Sequence, residues 1–325
     1  MIQDIFPDVF HNEYRPQAKP MDSSPVLCFR ERKILVKVTD EGDVPLQFPT
    51  AGLISRQKDA GTLVYAFAVN ETEYFLRIWE NQHCTDAPEE SSADEASQPE
   101  VTEGSGTGEA SQLESPKIAG SDEASQPEVP DGFEYLDFFQ ARRNLSNVFG
   151  MIIFTGYHLH MWYSGRRFCG YCGKAVVHDS LERAVCCPAC GQKNFPRIMP
   201  AVIVGVIHGD RLLQTKYSSG FQYYALIAGF TEVGETLEET VQREVMEETG
   251  LRVKNIRYYK SQPWGLAGDV LAGFYCDLDG DDTITMDKNE LAVAVWRHRS
   301  EIELQPDNYS LTNEMMRRFK EGKDC

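Results

Sequence analysis

The chain has 325 residues, of which 50 are acidic and 32 are basic, so its formal net charge at pH 7 is −18. This acidity argues against strong nucleic-acid binding, and no apolar run approaches the about 18 residues that a membrane-spanning helix needs. The first residues, MIQDIFPDVFHNEY, lack the basic and apolar regions of a secretory signal. We therefore expect a cytoplasmic protein of two or three domains.

The N-terminal third of the chain predicts a small β-rich domain. Strand-like patterns cover residues 33–38, 63–69 and 74–78, and a helical pattern covers 138–162. We assign residues 1–84 and 132–165 to this domain. It carries no catalytic motif.

Residues 85–131 interrupt that domain. They contain thirteen acidic residues and one lysine, and the octapeptide DEASQPEV occurs at both 94–101 and 122–129. With few large apolar side chains, the segment cannot bury enough surface to fold, so we predict a disordered acidic insertion. A protein-docking role is the alternative.

Two CxxC motifs follow, separated by fourteen residues, in a predicted ribbon at 166–195. They supply Cys169, Cys172, Cys187 and Cys190. Paired motifs of this kind favour a structural four-cysteine zinc site over redox or disulfide chemistry. Cys186 would leave three residues before Cys190 rather than two, so it is not expected to be a zinc ligand. The other cysteines are expected to be reduced thiols: Cys28, Cys84, Cys276 and Cys325.

Residues 197–325 predict a third domain in which strands and helices alternate. We expect a strand that begins at residue 201 and leads into a hairpin at 208–211. Further strands are expected at 224–227, 253–259 and 271–275, and helices at 236–249 and 313–320. This order predicts an α/β fold in which helices cover both faces of a mixed sheet, an α/β/α sandwich.

The helix at 236–249 carries the strongest chemical signal. Thr236 and Glu239 form a predicted capping box, and Gly250 is a natural end of the helix. Glu244, Glu247 and Glu248 share one face. Their mutual repulsion predicts a bound cation, and carboxylates suit Mg²⁺ or Mn²⁺, which assist hydrolysis of a diphosphate.

A glutamate-rich helix is more often a solvated face than a metal site, but the flanking pattern argues for the site. Gly229 and Gly234 bracket the preceding loop and allow a close backbone approach. Arg243 is expected to be structural and to hold Glu235, which would fix the loop against the helix.

The segment from Gly229 to Leu251 matches the Nudix box, G-x5-E-x7-R-E-U-x-E-E-x-G-U, in which U is a bulky aliphatic residue. Together with the preceding ribbon and a later Ser261-Gln262-Pro263-Trp264, it resembles the NADH pyrophosphatase family of Nudix hydrolases. The resemblance implies hydrolysis of NADH or NAD⁺ to nicotinamide mononucleotide and AMP by a homodimer. It implies catalytic roles for Glu244, Glu247, Glu248 and Glu290, and metal ligation by the Ala228 carbonyl, Glu244, Glu248 and Glu290.

In that family, the SQPW element continues as Pro-Phe-Pro-x-Ser, whereas this chain has Gly-Leu-Ala-Gly-Asp at 265–269. The resemblance implies substrate contacts at Phe195, Phe230, Gln262, Pro263, Trp264, Asp269 and Thr312. Because the element is half intact, an ADP-ribose or other nucleoside-diphosphate hydrolase is an alternative. Removal of NAD caps from RNA is another, although the net charge and a single Arg166-Arg167 pair do not favour it. A non-catalytic nucleotide sensor is a remote third reading.

Overall fold

The computed structural model describes residues 1–39, 46–57, 61–78, 128–138, 146–306 and 308–323. The repeat-bearing part of the predicted acidic insertion therefore lies almost entirely outside the described residues, as do Cys84 and Cys325. Among the described residues, no helix combines the length and apolarity required to cross a membrane.

The N-terminal region forms two small sheets around a shared apolar core. One sheet has the order β1-β6-β7-β2, and the other has β3-β4-β5 with β8 paired to β4. The strands are β1 Phe10–His11, β2 Val26–Leu27, β3 Phe29–Arg30, β4 Lys33–Val38, β5 Leu46–Gln47, β6 Thr62–Val69, β7 Thr72–Ile78 and β8 Glu134–Asp137. The three strands predicted here are confirmed.

Helix α1 covers Ala51–Ser55, and helix α2 covers Asn147–Ser164. The prediction of one continuous helix over 138–162 was wrong at Ser146, where the backbone is not helical, whereas Phe138 is helical as predicted. Ser146 has an extended backbone and its side chain accepts a hydrogen bond from the Phe149 N–H, so it caps α2 and the helix begins at the next residue. The residues between 138 and 146 are outside the described ranges.

The ribbon contains three short antiparallel strands, β9 Val177–His178, β10 Val185–Cys186 and β11 Lys193–Asn194. Each outer strand pairs with β10, so the sheet order is β11-β10-β9. The sheet joins the two loops that carry the CxxC motifs.

The C-terminal region is built on a six-stranded mixed sheet with the order β15-β16-β12-β13-β17, and β14 pairs with β12. The β12 and β16 strands are parallel and the other pairs are antiparallel. The strands are β12 Met199–His208, β13 Arg211–Tyr217, β14 Ile227–Phe230, β15 Val253–Trp264, β16 Asp269–Leu278 and β17 Leu291–His298.

Helices α3, Leu237–Thr249, and α4, Leu311–Lys320, cover opposite faces of this sheet, and a short 3₁₀ helix covers Arg299–Glu301. Along β12, Val202 and Val204 pack in the same cluster as Val241 of α3. Ile203, between them, packs with Met315 of α4. This alternation follows from the two-residue period of a strand, and it confirms the predicted α/β/α sandwich.

One strand boundary differs from the prediction. The strand expected at 224–227 pairs with β12 over Ile227–Phe230, and only an isolated bridge joins Ala225 to Thr215. Tyr224 lies under the Lys216 ammonium, and its hydroxyl accepts a hydrogen bond from Arg297. These contacts hold Tyr224 to its neighbours outside the ladder, so the regular strand starts later.

Candidate functional site

The box helix α3 begins and ends as its sequence predicts. Thr236 accepts a hydrogen bond from the Glu239 N–H, and the Glu239 carboxylate accepts one from the Thr236 N–H at 2.8 Å, which completes the capping box. Gly250 ends the helix with a left-handed φ of 70°. In the loop before the helix, Gly234 has a φ of 92°, a conformation that glycine adopts without strain. The loop and helix are therefore positioned by their own backbone chemistry.

Arg243 links the loop to the helix. Its Nε and Nη2 donate to the two oxygens of Glu235 at 2.6 and 2.9 Å, which is the predicted contact. Nη2 also donates to the Phe230 carbonyl, and Nη1 donates to Glu244 and Glu247 at 2.8 and 2.9 Å. The guanidinium lowers the pKa of Glu235 to about 2. One cation thus orients three carboxylates of the box.

Glu248 is the most deeply buried acidic residue of the box, and 2% of its surface is exposed. Neither of its carboxylate oxygens makes a hydrogen bond of ordinary geometry, although the Ala228 backbone lies close enough to oppose part of the rise in its pKa. Burial, reinforced by the nearby charges of Glu244 and Glu290, raises its pKa to about 8. Burying two unpaired oxygens of an ionisable group is costly, and a divalent cation would remove that cost.

Gly229 makes room for the neighbouring carboxylate. A Cβ atom at this position would overlap the carboxylate of Glu244. Burial also raises the pKa of Glu244, partly against the effect of Arg243. Two buried carboxylates, one without a hydrogen bond of ordinary geometry and one packed over a glycine, fit a hard divalent cation with oxygen ligands.

Glu290 lies at the start of β17, and its carbonyl accepts a hydrogen bond from the Ser218 N–H at 2.8 Å. Its charge contributes to the raised pKa values of Glu244 and Glu248, which places its side chain near theirs. Within the described ranges, only the four cysteines hold all of their ligand atoms within 4.8 Å of one another. The carboxylates are thus neighbours without forming so tight a group.

Tyr217, at the end of β13, was not predicted as a site residue. Burial raises its pKa, and so do the charges of Glu248, Glu290 and Glu244, in that order. Its ring also lines the cavity described next. No local sequence pattern identifies Tyr217 as a site residue, because only the folded sheet places the end of β13 beside the carboxylates.

A cavity of about 460 Å³ lies next to the carboxylates, at the end of the sheet. Its wall is mainly apolar and aromatic, and it includes residues from both the N-terminal region and the sandwich. Its lining residues are Arg32, Phe138, Tyr157, Ala201, Ile203, Tyr217, Phe221, Ala225, Leu226, Ala228, Gly229, Phe230, Trp264, Leu266, Ala267, Asp269, Leu271, Gln305, Ser310 and Thr312. A largely apolar concavity with a few polar groups is the usual form of a small-molecule site.

Four of the seven predicted substrate contacts line this cavity: Phe230, Trp264, Asp269 and Thr312. The other three do not. Gln262 is fully buried, donates to the Tyr309 carbonyl at 2.6 Å and accepts from the Leu311 N–H at 2.7 Å, so it holds the start of α4 against β15. Pro263 and Phe195 are exposed outside the lining.

The sequence departure after Trp264 has a packing cause. A Cβ atom at Gly265 would overlap the carbonyl group of Phe154 in α2. The Phe154 ring makes an edge contact with Trp264, with ring centroids 5.3 Å apart. Gly268 has a φ of 81°, which favours glycine. The turn is thus fitted to helix α2, and this contact fixes one wall of the cavity.

The four cysteines of the ribbon form a metal-binding group. Sulfur atoms of Cys169 and Cys190 lie 3.6 Å apart, and those of Cys172 and Cys187 lie 3.5 Å apart. A tetrahedral ion with sulfur ligands at about 2.3 Å has edges of about 3.8 Å, which agrees with these separations. Backbone N–H groups of Cys172 and Tyr171 lower the pKa of Cys169 to about 7, which favours the thiolate.

The chain is similar to known proteins over part of its length. The NUDIX domain model matches residues 197–319. The chain is 40% identical over 154 residues to the NAD-capped RNA hydrolase NudC of Enterobacter sp. (strain 638), covering 46% of this chain and 58% of that protein. It is 37% identical over 163 residues to the NudC of Photorhabdus laumondii, covering 50% and 63%. The matched region thus spans less than two thirds of these relatives' length.

A solved structure of a NUDIX hydrolase from Nitrosomonas europaea covers 48% of this chain and 91% of its own. The sequence identity is 24% and the TM-score is 0.42.

Proposed function

We propose that the chain, which matches the NUDIX domain model over residues 197–319 and is similar to NudC proteins, hydrolyses the diphosphate of NADH or NAD⁺ to nicotinamide mononucleotide and AMP. The observation that carries the proposal is the pair of buried carboxylates, Glu244 and Glu248, beside an aromatic-lined cavity. The pair fits a cation that binds diphosphate, and the cavity fits a planar ring.

The acidic cluster and Arg243 have different proposed roles. Glu244, Glu248 and Glu290, with the Ala228 carbonyl, would hold Mg²⁺ or Mn²⁺, and Glu247 completes the acidic cluster. When bound, such an ion neutralises the diphosphate and lowers the pKa of a coordinated water. Arg243 orients three carboxylates through five hydrogen-bonding contacts that include the loop carbonyl of Phe230. The residues therefore meet the substrate already positioned, which reduces the reorganisation needed for reaction.

Trp264 and Phe230 are suited to hold a ring of the substrate. Trp264 is fixed by its edge contact with Phe154, and about half of the Phe230 surface is exposed at the cavity, at 48%. An exposed aromatic residue at the wall of a cavity offers a stacking surface without any rearrangement of the core. Thr312 lies on the opposite helix α4 and supplies a hydroxyl to the same cavity.

We propose a homodimer as the working form. Several large apolar side chains are exposed around the cavity end of β12: Phe195, Ile198, Met199, Phe230 and Val270. Phe195 would then contact the substrate from the partner, which accounts for its position outside the cavity of its own chain. Light scattering should give twice the chain mass, and Phe195→Ser should raise KM for the dinucleotide if the partner's ring reaches the cavity.

The cysteine group is proposed to hold structural Zn²⁺, because four thiolates leave no open coordination position. The seven described cysteines are all free of disulfides, which supports a reducing, cytoplasmic setting.

NAD-capped RNA is a second candidate substrate. A separate cavity of about 460 Å³ beside the ribbon is lined in part by Arg166 and Arg197, with Tyr171 exposed at its edge. Two arginines and an aromatic ring could bind the first nucleotides of an RNA chain.

The test is one hydrolysis assay with NADH, NAD⁺, ADP-ribose, diadenosine diphosphate and a short NAD-capped RNA, with Mg²⁺ or Mn²⁺ in excess and nucleotide release as the readout. NADH or NAD⁺ ahead by roughly tenfold supports the proposal. ADP-ribose ahead would assign the enzyme to ADP-sugar hydrolysis, and an RNA preference would assign it to cap removal. Glu248→Gln should abolish turnover, whereas Glu238→Gln, an exposed glutamate in the first turn of the same helix, is the matched control.

A further inference from the structure

Asp269 is a buried carboxyl group in the wall of the main cavity, away from the acidic face of α3. It is 6% exposed, and its Oδ1 has no hydrogen-bond partner. Among the described residues, no charged side chain contributes to the shift of its pKa, whose one cause is burial. Asp269 begins β16, where it lies between Met199 of β12 and Trp264 of β15 in register. The backbone of three strands therefore fixes the position of this carboxyl group.

The surroundings of Asp269 are apolar and aromatic. Burial raises its pKa to about 6, and a cation bound beside it would favour the ionised form. Arg32 is the one cationic side chain among the lining residues, and it interacts with the Tyr157 hydroxyl rather than with Asp269. A buried anion without a counter-ion is costly, and a cationic ligand in the cavity would lower that cost.

We propose that Asp269 selects a substrate whose ring carries a positive charge, that is, the oxidised nicotinamide ring of NAD⁺ over the neutral dihydronicotinamide of NADH. The inference rests on the proposed function. The two cofactors share the diphosphate, both riboses and the adenine. The charge of the nicotinamide ring is therefore the main difference that an interaction with Asp269 can distinguish. Trp264, its register partner, supplies an aromatic face for the same ring.

The experiment compares kcat/KM for NAD⁺, NADH and ADP-ribose in the wild type and in Asp269→Asn, which keeps the shape and removes the charge. The NAD⁺ to NADH ratio should fall by roughly tenfold, because a nearby charge pair in a partly buried site is lost. ADP-ribose, which has no nicotinamide, should change by less than about twofold. Asp277→Asn is the control on the same strand, since Asp277 pairs with Arg257 at 3.0 Å outside the cavity.

An unchanged ratio would overturn the proposal, and so would an equal loss for all three substrates, which would point to a neutral hydrogen bond or a structural role. Removing an unpaired buried charge should leave the melting temperature equal or higher, so the variant is expected to fold. If no dinucleotide is hydrolysed, the proposed function fails, and calorimetric binding of NAD⁺ and NADH to both forms then decides the role of Asp269. Equal affinity of the wild type for the two cofactors would refute it.

Discussion

Gly229→Ala tests whether the position of the Glu244 carboxylate determines activity. A methyl group at residue 229 would overlap this carboxylate, which must retreat by roughly 1.5 Å to regain an ordinary contact. Its 2.8 Å ion pair with Arg243 would then lengthen or break. Because the moving group is the end of a flexible side chain, we expect a stability loss near the lower end of the about 1–3 kcal/mol typical of overpacking.

The expected effect on catalysis is larger. A displacement of about 1 Å at a reacting centre can reduce a rate by about 10²-fold, so kcat should fall by that order. Steady-state kinetics and thermal unfolding, measured on the same preparations, separate the two effects. The double variant Gly229→Ala, Glu244→Ala should recover most of the lost stability but none of the activity. Retention of kcat within about threefold in Gly229→Ala would show that Glu244 does not need its observed position.

Three further outcomes are expected. Gly265→Ala should lower the melting temperature, because its methyl group would meet the backbone of α2, whereas Gly150→Ala within α2, which has ordinary contacts, should stabilise by about 0.5–1 kcal/mol. Cys187→Ser, or a strong chelator, should release one metal ion per chain, measured by elemental analysis, and unfold the ribbon. Glu235 has a pKa held below its ordinary value by Arg243, so it stabilises the fold above pH about 4.5. The stability difference between wild type and Glu235→Gln should therefore shrink as pH falls toward 2.

The box helix could be predicted from sequence because its determinants are local. Its cap at Thr236, its stop at Gly250 and its apolar stripe through Val241 and Val245 are all encoded within fifteen residues. The ribbon is similar, since two short loops supply all four sulfur ligands. In both elements the side chains that are proposed to carry the function also carry the sequence signal.

Helix α2 shows where local reasoning failed. The apolar pattern continued upstream of Ser146, but that residue caps the helix with an extended backbone. Serine is a common cap as well as an acceptable helix residue, so the sequence alone leaves both outcomes open. Gly156 in the same helix packs so closely that a side chain there would overlap Leu27 of β2, and no local sequence pattern predicts this contact.

The cavity itself could not be derived from the sequence, because it depends on contact between two regions distant along the chain. Arg32 and Tyr157 come from the N-terminal region, yet they share a wall with Trp264 and Asp269. The turn at Gly265 packs directly against the backbone of α2, which leaves no room for a side chain at this position. The residue that follows the SQPW element therefore depends on the helix that packs against it. Specificity in this chain should therefore change on mutation of the N-terminal region as well. Arg32→Ala should alter KM among dinucleotides while leaving the metal affinity of the carboxylates unchanged, and a parallel loss of both would place Arg32 in the structural frame instead.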